Sequence, residues 1–548
     1  MKRFIRNILS LSALSAVALS ACNKKLDLIP ETQVADANFW KSTNDLMLAC
    51  NELYISLPVI TNNVNAIWAD DGYAQAPNPI SDGTRTIPVT DNAFSIPYSL
   101  IRKSNNILEK SVRVSGDAVV IRRYKAEAYF FRAFAYSELV KRYGDVPLIL
   151  RTFDVDDTLT VAHRSPRERI LDSLYKDLDS AVAGLPTAAA LAAAEYGRIT
   201  RNAALAMKSR VGLFEGTRNK YHALGDANKH LNIALTATET LMTMGHDVYK
   251  HPTVPDSSYF YQFQYAGNGR ANKENILARI YGQNATNSIS EHNYTRQFLD
   301  AGGVNPTRSF MDAYLYKDGL PLGKSPMEQP QTTTLSEFTN RDPRIGMTVF
   351  SKVVPGFSLT PYVPTFAFTP TGYKVRKYAT VEDWASQQSF NHHNIIRYGE
   401  ILLNYAELKF ELGGGAISDA DLDKSINLLR ARATMPKLTN AFVSSNGLNM
   451  QEELRRERRI ELAFEGEFRY WDLIRWKTAE VELVKAVKGS KKFPAEQVNV
   501  ITAPVDANGF VIVQDVSKRT FNTARDYWWP FPSNETGLNP NMGQNPKW

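Results

Sequence analysis

Ile121-Arg-Arg-Tyr-Lys-Ala-Glu-Ala-Tyr-Phe-Phe-Arg-Ala-Phe-Ala-Tyr-Ser-Glu-Leu-Val-Lys-Arg-Tyr143 runs without glycine or proline and places Tyr124, Ala128, Phe131, Ala135 and Leu139 on one stripe of a helix. Gly144 and Pro147 follow, a helix-ending pair. The next helix reads from a capping box, with Ser165 as N-cap, Pro166 at the first helical position and Glu168 closing the box. Its apolar face is Ile170, Leu171, Leu174, Leu178, Ala181 and Leu185, and Pro186 ends it. A third helix starts at Thr200 and carries Ala203, Met207, Val211 and Phe214.

Working outward, residues 39–213 are mostly helical by pattern. Helical spacing returns over 394–412, 419–433 and 449–476, the first of these ending at Gly413-Gly-Gly415. Residues 256–393 are rich in Tyr, Phe, Asn, Thr, Pro and Gly. They predict long loops with minor strands such as 347–353, and the chain after Phe493 reads alike. The fold class is therefore mostly α, a scaffold of antiparallel helix hairpins of tetratricopeptide-like kind with long loops and minor β-strands. No clean 34-residue repeat is visible. The chain divides into residues 1–21, 22–38, an N-terminal helical region 39–255 and a C-terminal region 256–548 that forms one compact unit with it.

The first two of these segments concern export. Lys2, Arg3 and Arg6 precede an apolar run, residues 8–19, that is too short to span a membrane, and Leu19-Ser-Ala-Cys22 has the small-residue pattern of a lipoprotein cleavage site. Residues 1–21 read as a lipoprotein signal peptide. Cys22 is expected to carry acyl chains, and residues 22–38, polar with Pro30, form the tether. Removal of residues 1–21 takes three positive charges and no negative one, lowering the formal charge from +7 to +4. Over so long a chain, with no dense basic run, that surplus gives no footing for nucleic acid. Cys50 has no partner once Cys22 is acylated and reads as a small core residue.

Motifs of chemistry are mostly missing. There is no Gly-x-Ser-x-Gly elbow and no His-Glu-x-x-His helix, and the adjacent His392 and His393 do not share a helical face. Gly319 and Gly323 lie one residue too close for a phosphate loop and enclose Pro321. Gly267-Asn-Gly269 lacks the third glycine of a dinucleotide site. No cofactor or metal is expected. One carboxylate cluster stands out, with Glu457, Glu461 and Glu465 spaced i, i+4, i+8 among Arg455, Arg458, Arg459 and Arg469. A glycosidase also needs two carboxyl groups facing one sugar. Stacked acids among arginines read better as an ion-pair network between packed helices.

Several short motifs occur in a fixed order: Ala126-Glu-Ala-Tyr-Phe-Phe-Arg-Ala133, Arg142-Tyr-Gly-Asp-Val-Pro-Leu-Ile149, Tyr196-Gly-Arg-Ile-Thr200, Pro306-Thr307, Arg341-Asp-Pro-Arg344, Leu402-Leu-Asn-Tyr-Ala-Glu407, Asn427-Leu-Leu-Arg-Ala-Arg432, Glu457-Arg-Arg-Ile-Glu-Leu-Ala-Phe-Glu-Gly466, Tyr470-Trp-Asp-Leu-Ile-Arg-Trp476 and a terminal Gln544-Asn-Pro-Lys-Trp548. The series spans nearly the whole mature chain and resembles the SusD/RagB family of outer-membrane nutrient-binding lipoproteins. The resemblance implies a SusD-like helical fold and a non-enzymatic protein of the cell outer membrane. It also implies that the protein faces the exterior on a lipid anchor and passes captured glycan to a SusC-like TonB-dependent transporter. Asn23-Lys-Lys25 departs from the acidic cluster that surface export favours. A surface glycoside hydrolase and a helical-repeat adaptor of envelope complexes are the competing classes.

The family's ligand contacts lie in variable loops, so ligand residues are sought from physics. A sugar stacks its apolar face on an aromatic ring and needs fixed donors and acceptors for its hydroxyls. Trp68, Asp70, Asp71 and Tyr73, with Arg85 nearby, form the leading segment. Tyr281, Asn284, Asn287, Tyr294 and Arg296 form the second, and residues 362–373 with Tyr373, together with Trp384, the third. Trp471, Trp476, Trp528 and Trp529 are assigned to packing.

Overall fold

The computed structural model describes residues 39–282, 291–354, 362–363, 366, 369–496 and 502–548. Cys22 and the lipid tether lie outside them. The main helices are α1 (Thr43–Asn51), α2 (Asn92–Lys110), α3 (Ala118–Tyr143), α4 (Arg167–Gly184), α5 (Arg201–His222), α6 (Ala227–Met242), α7 (Tyr398–Leu412), α8 (Ile426–Arg432), α9 (Met450–Glu461) and α10 (Phe468–Arg475). Helices α2 to α6 pack each on the next, and α7 packs on α5, α6 and α9. Three short antiparallel pairs complete the described structure: β1 (Gly72–Tyr73) with β3 (Asn305–Pro306), β2 (Asn275–Arg279) with β4 (His393–Arg397), and β5 (Val487–Lys491) with β6 (Phe510–Gln514). The mostly helical class expected from sequence is the class observed.

Helix α3 begins at the Asp117 cap, buries Tyr124, Ala128, Phe131, Ala135 and Leu139, and is buried on nearly every face over its second half. The capping box ahead of α4 does not form. Ser165 instead pairs with Val146, Pro166 takes the cap position, and the first amide, Arg167 N–H, donates to Asp145 Oδ1 at 2.7 Å. A carboxylate from the Arg142–Ile149 motif thus does what a local cap does elsewhere. Thr200 caps α5 through Ala203 N–H as its sequence implies. Gly212 and Gly216 let α6 approach: a Cβ at Gly212 would lie 2.8 Å from Ala234 Cβ, and one at Gly216 2.6 Å from Leu231 Cγ.

Three other expectations change. Residues 394–397, expected in a helix, form β4, because Arg397 and the Asn394 backbone are held against β2 before Tyr398 starts α7. The alternating run 347–353 forms a turn of helix, Arg344–Thr348, and one bridge at Val349 to Val375. The segment 449–476 breaks into α9 and α10, since Phe464 and Gly466 adopt φ of +55° and +109°. Glu465 therefore leaves the helical stripe.

It does not leave the network. Among the residues of α9, Glu453, Glu457, Arg458 and Glu461 are buried. Arg344 bonds Glu457 at 2.6 Å and Glu461 at 3.0 Å. Arg397 reaches Glu274, Glu461 and Glu465, each at 2.7 Å, and Lys377 meets Glu465 at 2.6 Å. Arg430 binds Glu457 at 2.9 Å, Arg432 binds Glu274 at 3.0 Å, and Arg432 also pairs with Glu461. Burial pushes the Glu461 carboxyl up, but the Arg432, Arg397 and Arg344 guanidiniums outweigh it and hold the group well below the usual carboxylate range. Glu457 and Glu465 are lowered in the same way.

Around this network lie two apolar clusters. One includes Cys50, whose thiol donates to the Tyr124 carbonyl, and runs from Trp40 through α1 to α5, α7 and α10 to Met542. The other is aromatic, with Tyr259, Phe263, Tyr294, Phe310, Tyr314, Tyr373 and Tyr378.

Removing one charge from the network leaves its partners buried and uncompensated, which costs roughly 3–5 kcal/mol. Glu461→Gln is expected to lose about that much stability at pH 7 in urea denaturation. Because the native pKa of Glu461 lies below its unfolded value, its contribution is complete above that unfolded value, about 4.3, and is lost as pH falls through the native one. The difference between wild type and Glu461→Gln should close in acid.

Candidate functional site

The first of the predicted segments is turned inward, with Asp70, Asp71 and Tyr73 buried and Trp68 and Arg85 half-buried. Trp68 packs edge-on to Tyr470 at 5.9 Å and Trp529 at 5.3 Å. Asp70 accepts from Arg469 Nε at 2.8 Å and Arg459 Nη2 at 3.0 Å, and Asp71 from Arg459 Nε at 2.6 Å. Burial raises the Asp70 carboxyl, yet the two arginines hold it far below the usual range. Tyr73 is buried in β1, and Arg85 stacks 3.6 Å over Trp529 while paired to Asp91. These residues clamp the turn Ile60–Trp68 onto α9 and α10, so they are corrected from sugar ligands to packing and ion-pair residues.

Tyr281, Tyr294 and Tyr373 are buried as well. Tyr281 Oη accepts from Ile60 N–H at 3.4 Å, Tyr373 Oη accepts from Arg308 at 3.4 Å, and Tyr294 stacks on Phe298. Aromatic rings adjoining loops here fill the second core, which is why all three are corrected to core positions. Asn284 and Asn287 lie outside the described residues. Trp471, Trp476 and Trp529 are buried, and Trp528 lies 3.6 Å beneath the Arg218 guanidinium, so the four tryptophans assigned to packing are where that assignment put them.

Two of the predicted residues meet at the surface. A π-helical turn, Thr295–Asp300, buries Thr295 and Leu299 and leaves Arg296 and Gln297 exposed. Such turns recur at functional sites. Across from it, the short helix Val381–Ser386 is capped by Thr380 and presents a half-buried Trp384. Asp300 joins the two elements: it accepts from Trp384 Nε1 at 2.6 Å and from Lys374 Nζ at 2.5 Å. The Arg296 guanidinium lies 5.0 Å over the Trp384 ring and donates to the Trp384 carbonyl. Next to Trp384, Asp383 accepts from Tyr265 Oη, and Tyr265 is 41% exposed. Gln388 contacts Glu291, and His292 pairs with Ser389 at the same edge.

The result is an outward-facing set with two aromatic rings, a guanidinium and side-chain amides, held by two carboxylates engaged from behind. It suits stacking and hydrogen bonding of a polar ring. Both Asp300 oxygens are occupied and Asp383 is buried, so the two carboxylates that support the rings are engaged from within. The stripe Glu457, Glu461 and Glu465 is fully enclosed, as the ion-pair reading expects. Tyr265 was missed in the sequence. Its signal was the adjoining Gly267-Asn-Gly269, an irregular loop beside an aromatic. Among the described residues, no group of three or more His, Cys, Asp or Glu is placed to hold a metal ion, and no helix is long and apolar enough to cross a membrane.

A helical scaffold with buried charge networks and an aromatic surface assembled from loops defines a non-covalent binding protein of the SusD-like class. Residues 268–548 match the SusD family, and residues 32–213 match the family described as starch-binding, associating with the outer membrane. The chain belongs to the SusD family. It is 24% identical over 526 residues to SusD-like protein P38 of Formosa agariphila, covering 89% of this chain and 95% of that one. A SusD-like carbohydrate-binding protein from Bacteroides fragilis superposes with a TM-score of 0.76 at 25% identity, over 92% of this chain and 99% of the other. Surface glycan-binding protein A from Bacteroides fluxus shares the fold, with a TM-score of 0.62 at 18% identity over 92% and 99% of the two chains.

Because the half-buried Trp68 packs against the core, Trp68→Ala is expected to lower stability by roughly 2 kcal/mol, seen as a reduced melting temperature. Glycan affinity measured below that temperature should stay within about twofold of wild type, a change of a few tenths of a kcal/mol.

Proposed function

We propose that this protein captures glycans without cleaving them, from a lipid anchor on the exterior of the outer membrane, and hands them to a SusC-like TonB-dependent barrel. The surface formed by Trp384, Tyr265 and Arg296 carries the reading: a stacking ring fixed through Asp300, beside free donors, on a chain of a glycan-binding family. Family membership supports the carbohydrate class, and relatives described as carbohydrate- or glycan-binding support it further. Capture rather than hydrolysis is supported by the enclosure of the only acidic stripe that the sequence offered for catalysis. A transporter is required by physics, because a polar oligosaccharide cannot shed its water into a bilayer without replacement partners. Docking beside a channel raises the local sugar concentration at its mouth.

Trp384→Ala is expected to weaken glycan binding several-fold to tenfold, on the order of 1 kcal/mol, with little change in melting temperature. Isothermal titration against a ligand found on a glycan array measures it. Affinity unchanged in both Trp384→Ala and Tyr265→Ala would remove this surface from the site.

Cys22→Ala should release the protein from the membrane fraction, since the acyl chains are its proposed anchor and no helix among the described residues is long and apolar enough to cross a membrane. Fractionation and mass spectrometry of the N-terminus read the outcome, and purification of the wild type from mild detergent should bring a large outer-membrane barrel with it.

A further inference from the structure

Away from the Trp384 surface, three helices meet around a crevice of about 200 Å³. Helix α3 supplies Glu138 and Lys141, α5 supplies Arg210 and Phe214, and α10 supplies Phe468 and Trp471. The spacings are i, i+3 on α3 and α10 and i, i+4 on α5, so each pair shares a helical face. Phe214 meets Trp471 edge-on at 6.1 Å. Lys141 Nζ stands 4.9 Å over the Trp471 ring, and the Arg210 guanidinium 5.3 Å over Phe468. An apolar cavity of roughly 150 Å³ accepts a benzene ring, so this crevice has room for one six-membered ring and little more.

Hydrogen-bonding capacity at the mouth is one-sided. Glu138 accepts from Lys141 at 2.9 Å and also from Arg142. Glu467 accepts from Asn65 at 3.0 Å, from Arg142 at 2.9 Å and from Trp471 Nε1 at 2.6 Å. Each carboxylate is thus already paired with a cation. The cations are not fully spent: an ammonium has three hydrogens, and Lys141 makes one short bond, with Glu467 Oε2 at 3.8 Å as its other acidic neighbour. Arg210 spends Nε and Nη2 on Glu400 and the Ile395 carbonyl, while its Nη1 donates to nothing among the described residues. Burial holds the Lys141 ammonium below the usual lysine range, and Glu138 and Glu467 only partly offset it. A ligand that brings acceptors meets these unspent donors, and a charged acceptor makes the stronger bond with them.

We propose that this crevice is a second binding site, which takes a carboxylate carried on a single six-membered ring with an apolar face. Lys141 and Arg210 hold the carboxylate, and Phe214 and Phe468 flank the ring. Two sources share that chemistry, a uronic acid unit of a glycan and a free aromatic acid. The site stands independently of the Trp384 surface, with which it shares no residue.

The test is isothermal titration of glucuronate, benzoate and neutral glucose into the full mature chain in detergent micelles, with micelles alone as blank. Binding of an acid but not of glucose, about tenfold weaker in Lys141→Gln, is expected, since a charge-assisted hydrogen bond carries about that factor. Glucuronate alone would assign a uronic acid unit, benzoate alone an aromatic acid, and either supports the site. Lys141→Gln is the deciding variant, because Glu138 and Glu467 keep Arg142. Should it fail to fold by circular dichroism, Phe214→Ala decides, with the same loss expected. Trp384→Ala should leave acid binding unchanged. The site is overturned if neither acid binds, if glucose binds as well as glucuronate, or if the deciding variant retains wild-type affinity.

Discussion

Buried charge pairing is the constraint on which this molecule depends. Glu274, Glu457, Glu461 and Glu465 lie out of contact with water, faced by Arg344, Arg397, Arg430, Arg432 and Lys377. Isolated, each of these ions would cost several kcal/mol to desolvate. Together they are tolerable only if every partner arrives in register, and the partners come from the residue before β2, from β4, α8 and α9, from the 341–344 turn, from Lys377 and from the break that carries Glu465. A misplaced element strands a charge rather than merely loosening a contact. That makes the network a specification of how the helical half and the loop-rich half meet.

The ordered motifs acquire physical content in this light. Arg341-Asp-Pro-Arg344, Glu457–Gly466 and Asn427–Arg432 are the members of one network, while Leu402–Glu407 and Tyr470–Trp476 form its neighbour through Arg475, Trp476 and Glu407. Asp145 of the Arg142–Ile149 motif caps α4, and Arg142 reaches across to Glu467. These short strings are far apart in the chain and close in space. Their shared role is assembly.

The surface proposed for recognition depends on the same logic at smaller scale. Asp300 fixes the indole nitrogen of Trp384, and the aromatic core beneath holds the turn that carries Asp300. A preset ring loses little conformational entropy on stacking with a sugar. The Trp68 segment had the same composition of aromatics and acids, yet Arg459 and Arg469 draw its carboxylates inward. Identical residue types therefore serve opposite ends, and the arginines decide which.

Periodicity and end signals located the helix over 121–143, the one opening at Ser165-Pro166 and closed by Pro186, and the start of a third at Thr200, because a stripe of apolar residues at 3.6-residue spacing has one economical solution. Charge spacing also revealed the acidic stripe as structural, since like charges that close require cations between them. The order of the motifs gave the family, and with it the mostly helical class. What sequence withheld was whichever property depends on distant partners: Asp145 capping α4 in place of Ser165, the strand at 393–397, and the break at Phe464 and Gly466 that moves Glu465 off its helix yet returns it to the same arginines. The site divided in the same way. Trp384 and Arg296 were legible as candidates, but their juxtaposition, the inward packing of Trp68, and the burial of Asp70, Asp71, Tyr73, Tyr281, Tyr294 and Tyr373, were decided by tertiary structure, because exposure belongs to the packing of the whole chain and not to any residue's type.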